Sequence, residues 1–132
     1  MVHLDTSFLI RALVRGSPED ALLREWLDEG ETLRMSAIAW TEFLCGPIRA
    51  VDQKLAGQVV GGRVAFTDDQ ADVAARLFND SGRRRGSMFD CMIAAAALAE
   101  RAAVATANPA DFERFAPSGV DVIDAAARRA VR

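Results

Sequence analysis

From Cys91 to Ala99 the chain reads Cys-Met-Ile-Ala-Ala-Ala-Ala-Leu-Ala, without a single charged residue. A helix over this segment is apolar on every side and has no face to give to water, so it belongs at the centre of the molecule. Its small side chains let it lie close against a sheet. The run is far short of the ~20 apolar residues that cross a membrane. With 51% hydrophobic and 27% charged residues in 132, the expectation is one compact domain spanning residues 1–132, not a membrane protein.

The other elements arrange themselves around this helix. Short apolar runs at Val2–Leu4, Thr32–Met35, Arg63–Phe66, Ala102–Thr106 and Val120–Ile123 read as strands. Between them lie helical stretches: Thr6–Val14, Pro18–Glu29, Ala37–Cys45, Pro47–Val60, a helix from the cap Thr67 to Asn79, one from the cap Ser87 to Arg101, and Pro109–Phe115. Pro18 suits a first helical turn, Ser36 is a candidate N-cap, and Gly30 and Gly46-Pro47 are stops. Short strands alternating with helices predict an α/β three-layer sandwich with a mainly parallel central sheet flanked by helices. Ligands of such sheets bind beyond the carboxyl ends of the strands.

Four acidic residues stand in apolar or hydroxyl-rich settings, Leu-Asp5-Thr-Ser, Trp-Thr-Glu42-Phe, Met-Phe-Asp90-Cys and Asn108-Pro-Ala-Asp111-Phe, and two of them, Asp5 and Asp111, follow strands and so fall near those ends. Capping is the ordinary explanation for three of them. Asp5 is placed as an N-cap. Asp90 is the N3 acid of a Ser87 capping box, and Asp111 is the N3 acid of a helix capped by Asn108. Glu42 shares a helix face with Ile38 and Cys45, and periodicity does not say whether that face points inward. Together the four make an oxygen-only donor set, which selects a hard cation such as Mg²⁺ or Mn²⁺.

Rival chemistries find little support. The only histidine is His3, and the two cysteines, Cys45 and Cys91, have no zinc-ligand spacing. There is no Gly-x-Ser-x-Gly elbow and no phosphate-binding glycine loop. The net charge of -3 does not describe a protein that coats nucleic acid by charge alone. A local run, Arg83, Arg84 and Arg85, precedes the third acidic segment. A charge run of this kind is ordinarily a solvated loop. The start Met1-Val-His-Leu-Asp5 has no basic region followed by an apolar run, so the expectation is a cytoplasmic protein without a signal peptide.

The segments Leu-Asp5-Thr-Ser-Phe-Leu-Ile, Thr-Glu42-Phe, Phe-Asp90-Cys-Met-Ile-Ala-Ala and Thr106-Ala-Asn108-Pro-Ala-Asp111-Phe resemble the motifs of PIN domains. They are most similar to those of VapC-like toxins of bacterial type II toxin–antitoxin modules. The resemblance implies a PIN-like fold, a homodimer, Mg²⁺-dependent endoribonuclease activity on an RNA substrate, and inhibition by a cognate antitoxin protein. It implies Asp5, Glu42, Asp90 and Asp111 as the acidic site, with Asp5, Asp90 and Asp111 as metal ligands. Thr6, Thr106 and Asn108 would be supporting polar residues. For Arg83, Arg84 and Arg85 the resemblance adds the alternative of a contact for RNA phosphate. Glu42 is the candidate to orient or deprotonate water. Trp26 and the helices from Pro18 to Val60 are candidates for dimer or antitoxin contacts, with core packing the default for a tryptophan.

Two other readings compete. One is a PIN-like module that binds RNA or a partner without cleaving. The other is an acid-cluster phosphohydrolase or phosphotransferase, which calls for a second Asp two residues after the nucleophile. Ser7 stands there instead.

Overall fold

The computed structural model describes residues 1–131; Arg132 lies outside the described residues. Five strands form one sheet in the order β3-β2-β1-β4-β5, and every neighbouring pair is parallel. They are β1 (Val2–Leu4), β2 (Leu33–Ser36), β3 (Arg63–Val64), β4 (Ala103–Thr106) and β5 (Val122–Asp124). The helices between them are α1 (Thr6–Ala12), α2 (Pro18–Glu29), α3 (Ala37–Leu44), α4 (Ala50–Val59), α5 (Asp68–Asp80), α6 (Met88–Ala99) and α7 (Ala110–Glu113). α8 (Ala125–Val131) follows the last strand.

Crossovers carry the chain from β1 through β2 to β3 in one direction, and then back across to β4 and β5 in the other. The reversal leaves a switch point between β1 and β4. There β1 pairs with β4 from Val2↔Ala103 to Leu4↔Ala105. A parallel sheet opens a crevice at such a point, just past the strand ends.

The apolar run of α6 is buried as its composition requires. Cys91, Ile93 and Ala94 to Ala97 have no exposed surface, and α6 packs across β2 and β4 and against α5. Phe8, Phe43, Phe112 and Phe115 fill the remaining core. Burial stabilises by about 2–3 kcal/mol for each such side chain.

Local signals account for most element boundaries. Ser17, Ser36 and Thr67 accept hydrogen bonds from the backbone N–H groups of Asp20, Ala39 and Gln70, so each caps its helix. Pro18 sits at the first turn of α2, and Gly30 ends that helix at φ 72°.

Several expectations need correction. Helix α4 begins at Ala50 rather than Pro47. Pro47 disfavours a helical conformation at Gly46, and the chain turns there through an Ile48 N–H to Gly46 carbonyl bond of 2.8 Å. Strand β3 is only two residues long and stops before Phe66. β5 lies at 122–124, not 120–123. Helices α1, α6 and α7 are each shorter than the sequence implied. α8, which carried no clear start signal, begins where Asp124 Oδ1 accepts the Ala126 N–H at 3.0 Å, and it packs on α2. Trp26 follows the default for a tryptophan rather than serving as a contact for a partner: it is buried in the core and stacked on Phe8 with ring centroids 5.6 Å apart.

Candidate active site

The ends of β1 and β4 are tied together by one buried carboxylate. Asp5 follows β1, and its Oδ2 receives hydrogen bonds from the hydroxyls of Ser7 at 2.7 Å and Thr106 at 2.9 Å. Each hydroxyl has one proton to give, and both give it to Asp5. Their oxygens then accept backbone N–H groups: Ala107 donates to Ser7 at 3.0 Å and Asn108 donates to Thr106 at 3.0 Å. The loop after β4 is thus wrapped around the Asp5 carboxylate. Oδ1 receives no hydrogen bond among the described residues. Asp5 stands at the N-cap position of α1, yet its side chain caps nothing.

Neither of the other capping expectations holds. Ser87 makes no side-chain cap bond. Its hydroxyl donates instead to the Arg84 carbonyl at 2.7 Å and anchors the loop of Arg83, Arg84 and Arg85 one turn before Asp90. All three arginines are exposed. Asn108 contributes backbone only: its carbonyl accepts the Asp111 N–H at 3.0 Å. Its exposed side chain makes no hydrogen bond among the described residues. With capping removed, the three aspartates need another explanation.

Electrostatics supplies one. Burial pushes the Asp90 carboxyl up to about 6, and the negative charges of Asp5, Asp111 and Glu42 push it the same way, against the pull of Arg114. Glu42 is also held above the ordinary range, first by burial and then by Asp5. The four acids therefore share one field. Glu42 reaches it from α3, where Thr6 bridges the helices: its hydroxyl donates to the Ala39 carbonyl at 2.8 Å and lies 3.4 Å from Glu42 Oε1.

Arg114, just after α7, was not singled out from sequence. Its Nη2 lies 3.5 Å from Asp90 Oδ2, and its guanidinium sits 4.8 Å from the centre of the Phe115 ring. The available signal was its i,i+3 spacing from Asp111, but the ion pair goes to Asp90 on another element. Ser7, which in the sequence only stands where a second Asp would be, donates its hydroxyl to the Asp5 carboxylate.

An excess of negative charge, presented by oxygen donors alone, fits a hard divalent cation. Among the described residues no three His, Cys, Asp or Glu side chains are arranged to chelate an ion as they stand. The donor chemistry fits, while the spacing is looser than a closed site.

The PIN domain model matches residues 2–117. The chain belongs to the PIN-domain family. Its fold is similar to that of a toxin–antitoxin complex from Klebsiella pneumoniae, with TM-score 0.73, 20% identity, and 95% of this chain and 98% of that chain covered. It is also similar to VapBC2 from Rickettsia felis, bound to a promoter DNA fragment (TM-score 0.71, 18% identity, 94% of this chain and 98% of that one covered). FitAcB from Neisseria gonorrhoeae gives TM-score 0.70 at 22% identity, with 95% and 98% covered. No curated protein sequence matches the chain. No helix among the described residues is long and apolar enough to cross a membrane.

Proposed function

We propose that this PIN-family chain is a VapC-like toxin: a cytoplasmic, Mg²⁺-dependent endoribonuclease in which Asp5, Asp90 and Asp111 hold the cation (Mg²⁺, with Mn²⁺ as a substitute). The observation that supports this reading is Asp90: burial raises it to about 6, and the charges of Asp5, Asp111 and Glu42 act on it together, with Asp5 at the switch point of the parallel sheet. Asp90 feels three like charges and one arginine, and a cation site calls for such an excess of negative charge.

When bound, the cation lowers the pKa of water and offsets negative charge gathering on a phosphate. The chain's own residues supply the rest. Ser7 and Thr106 orient Asp5 and fix which of its oxygens stays open. Glu42, the acid with raised proton affinity that is not assigned as a ligand, accepts the proton of the attacking water. The water oxygen forms a bond to phosphorus, the P–O ester bond breaks, and the departing oxygen takes up a proton. The exposed arginines 83–85, anchored by Ser87 one turn from Asp90, engage RNA phosphates.

Partners follow from the surface. A groove of about 310 Å³ between α1, α2 and α4 is lined by Leu9, Leu13, Leu23, Leu27, Leu55 and Val59. Exposed Leu44 and Val51 lie in the same stretch of chain. This is the surface assigned to a cognate antitoxin and to a second copy of the chain, and the similar structures named above include toxin–antitoxin complexes.

The test is incubation of purified protein with structured RNAs in Mg²⁺, Mn²⁺ or EDTA, alongside Asp5→Asn and Asp90→Asn. Cleavage in Mg²⁺ that disappears with EDTA and in both variants is expected. Cleavage surviving Asp90→Asn would sink the assignment. RNA or partner binding without cleavage would favour the non-cleaving module.

A further inference from the structure

The guanidinium of Arg114 is poorly satisfied for a group so deeply placed. Its side chain is 15% exposed, and Nε and Nη1 are buried with no hydrogen-bond partner among the described residues. The one polar contact, Nη2 to Asp90 Oδ2, is 3.5 Å long. That is beyond the ~2.7–2.9 Å of a charge-assisted hydrogen bond. Directional bonds therefore do not hold this arginine; the field of the acids and the face of Phe115 do. By contrast Arg34 bonds its carboxylate, Glu100, at 2.6 Å.

We propose that Arg114 is an internal counter-cation that occupies the acid cluster when no metal is there, and that it competes with the divalent cation for Asp90. The inference rests on reading the cluster as a cation site. The loose pair can be given up without breaking a network. A dication entering the cluster meets the repulsion of Arg114, and Arg114 in turn loses the attraction that holds it. Arg114 is thus a positioning residue that sets metal affinity, acting on Asp90 rather than on substrate.

Two measurements on the full chain test this. Mn²⁺ affinity is measured by calorimetry for wild type, Arg114→Gln and Arg114→Lys. Removing one positive charge from the cluster is expected to tighten Mn²⁺ binding about tenfold, while Arg114→Lys stays near wild type. Unchanged or weaker binding by Arg114→Gln overturns the proposal. If Arg114→Gln does not fold, Mg²⁺ titration of wild-type protein decides. The Arg114 Nε–H resonance is expected to shift on binding while that of Arg34 stays fixed, and an unmoved Arg114 signal overturns the proposal. Failure of wild-type protein to bind Mn²⁺ or Mg²⁺ would instead defeat the metal reading itself, and the proposal with it.

Discussion

Helix α6 ends in an acid at both extremities, and the two have opposite fates. Glu100, at its C-terminal cap, meets matched partners: His3 Nε2 at 2.7 Å and Arg34 Nη1 at 2.6 Å, one on each of its oxygens. Asp90, on the first turn, meets three more acids and one loosely held arginine. The first arrangement closes a charge group within the fold. The second leaves charge uncompensated, which is costly for a domain of marginal stability. A site can require such a cost, so under the proposed function Asp90 is the functional acid of α6 and Glu100 the structural one. Strand β1 repeats the pattern, with His3 serving the matched end and Asp5 the unmatched one.

The largest expected effect tests which acid is functional. Asp90→Asn should lower RNA cleavage at least about 100-fold while leaving the circular dichroism spectrum intact. Glu100→Ala should leave cleavage per folded molecule near wild type. If the two variants lose activity equally, the division between the ends collapses.

Next comes stability at the matched end. Glu100→Ala strands the buried His3 N–H and deprives Arg34 of its partner, which should cost about 2 kcal/mol in urea unfolding. A cost near zero would mean that the triad contributes little.

A smaller effect of opposite sign belongs to Asp90. Its folded pKa of about 6 exceeds the unfolded value of 3.8. Its protonated form therefore favours folding below pH 3.8, and that benefit is lost as pH rises to about 6. Asp90 is part-exposed, so solvent screening reduces the effect. In metal-free buffer Asp90→Asn should be more stable than wild type by about 1 kcal/mol at pH 8. The gap should close below about pH 4, and a gap independent of pH would refute this account.

The subtlest test is His3. Burial, outweighing its bond to Glu100, holds this imidazole below its ordinary 6.5. Its contribution to stability is therefore complete above pH 6.5 and falls away as pH drops below that value. An NMR titration should find the ring neutral at pH 7 with a midpoint under 6.5. A midpoint above 6.5 would show that Glu100 dominates over burial.

Much of this was legible in the residues. The charge-free alanine run announced a central helix, and short apolar runs announced a parallel sheet. Ser36 and Thr67 capped as expected. Capping logic went wrong at Asp5, Ser87 and Asn108, and for one reason. A cap is a local bond, and at these positions a distant partner or a loop carbonyl wins: Thr106 for Asp5 across the switch point, Arg84 for Ser87, backbone turns for Asn108. The start of α4 was misplaced and α8 was not anticipated at all; at both, packing and turn geometry outweigh local signals.

By itself the sequence determined the layered α/β architecture, the oxygen-only character of the acids and the motifs of the PIN family. These rest on side-chain type and period, which are local properties. Only the tertiary structure decided that Asp90 lies in a field of like charge while Glu100 does not. It alone brought Arg114 beside Asp90 and made Ser7 and Thr106 the clamp on Asp5. Coulomb energies and hydrogen bonds depend on distance in space, and parallel crossovers bring together residues that the chain keeps far apart.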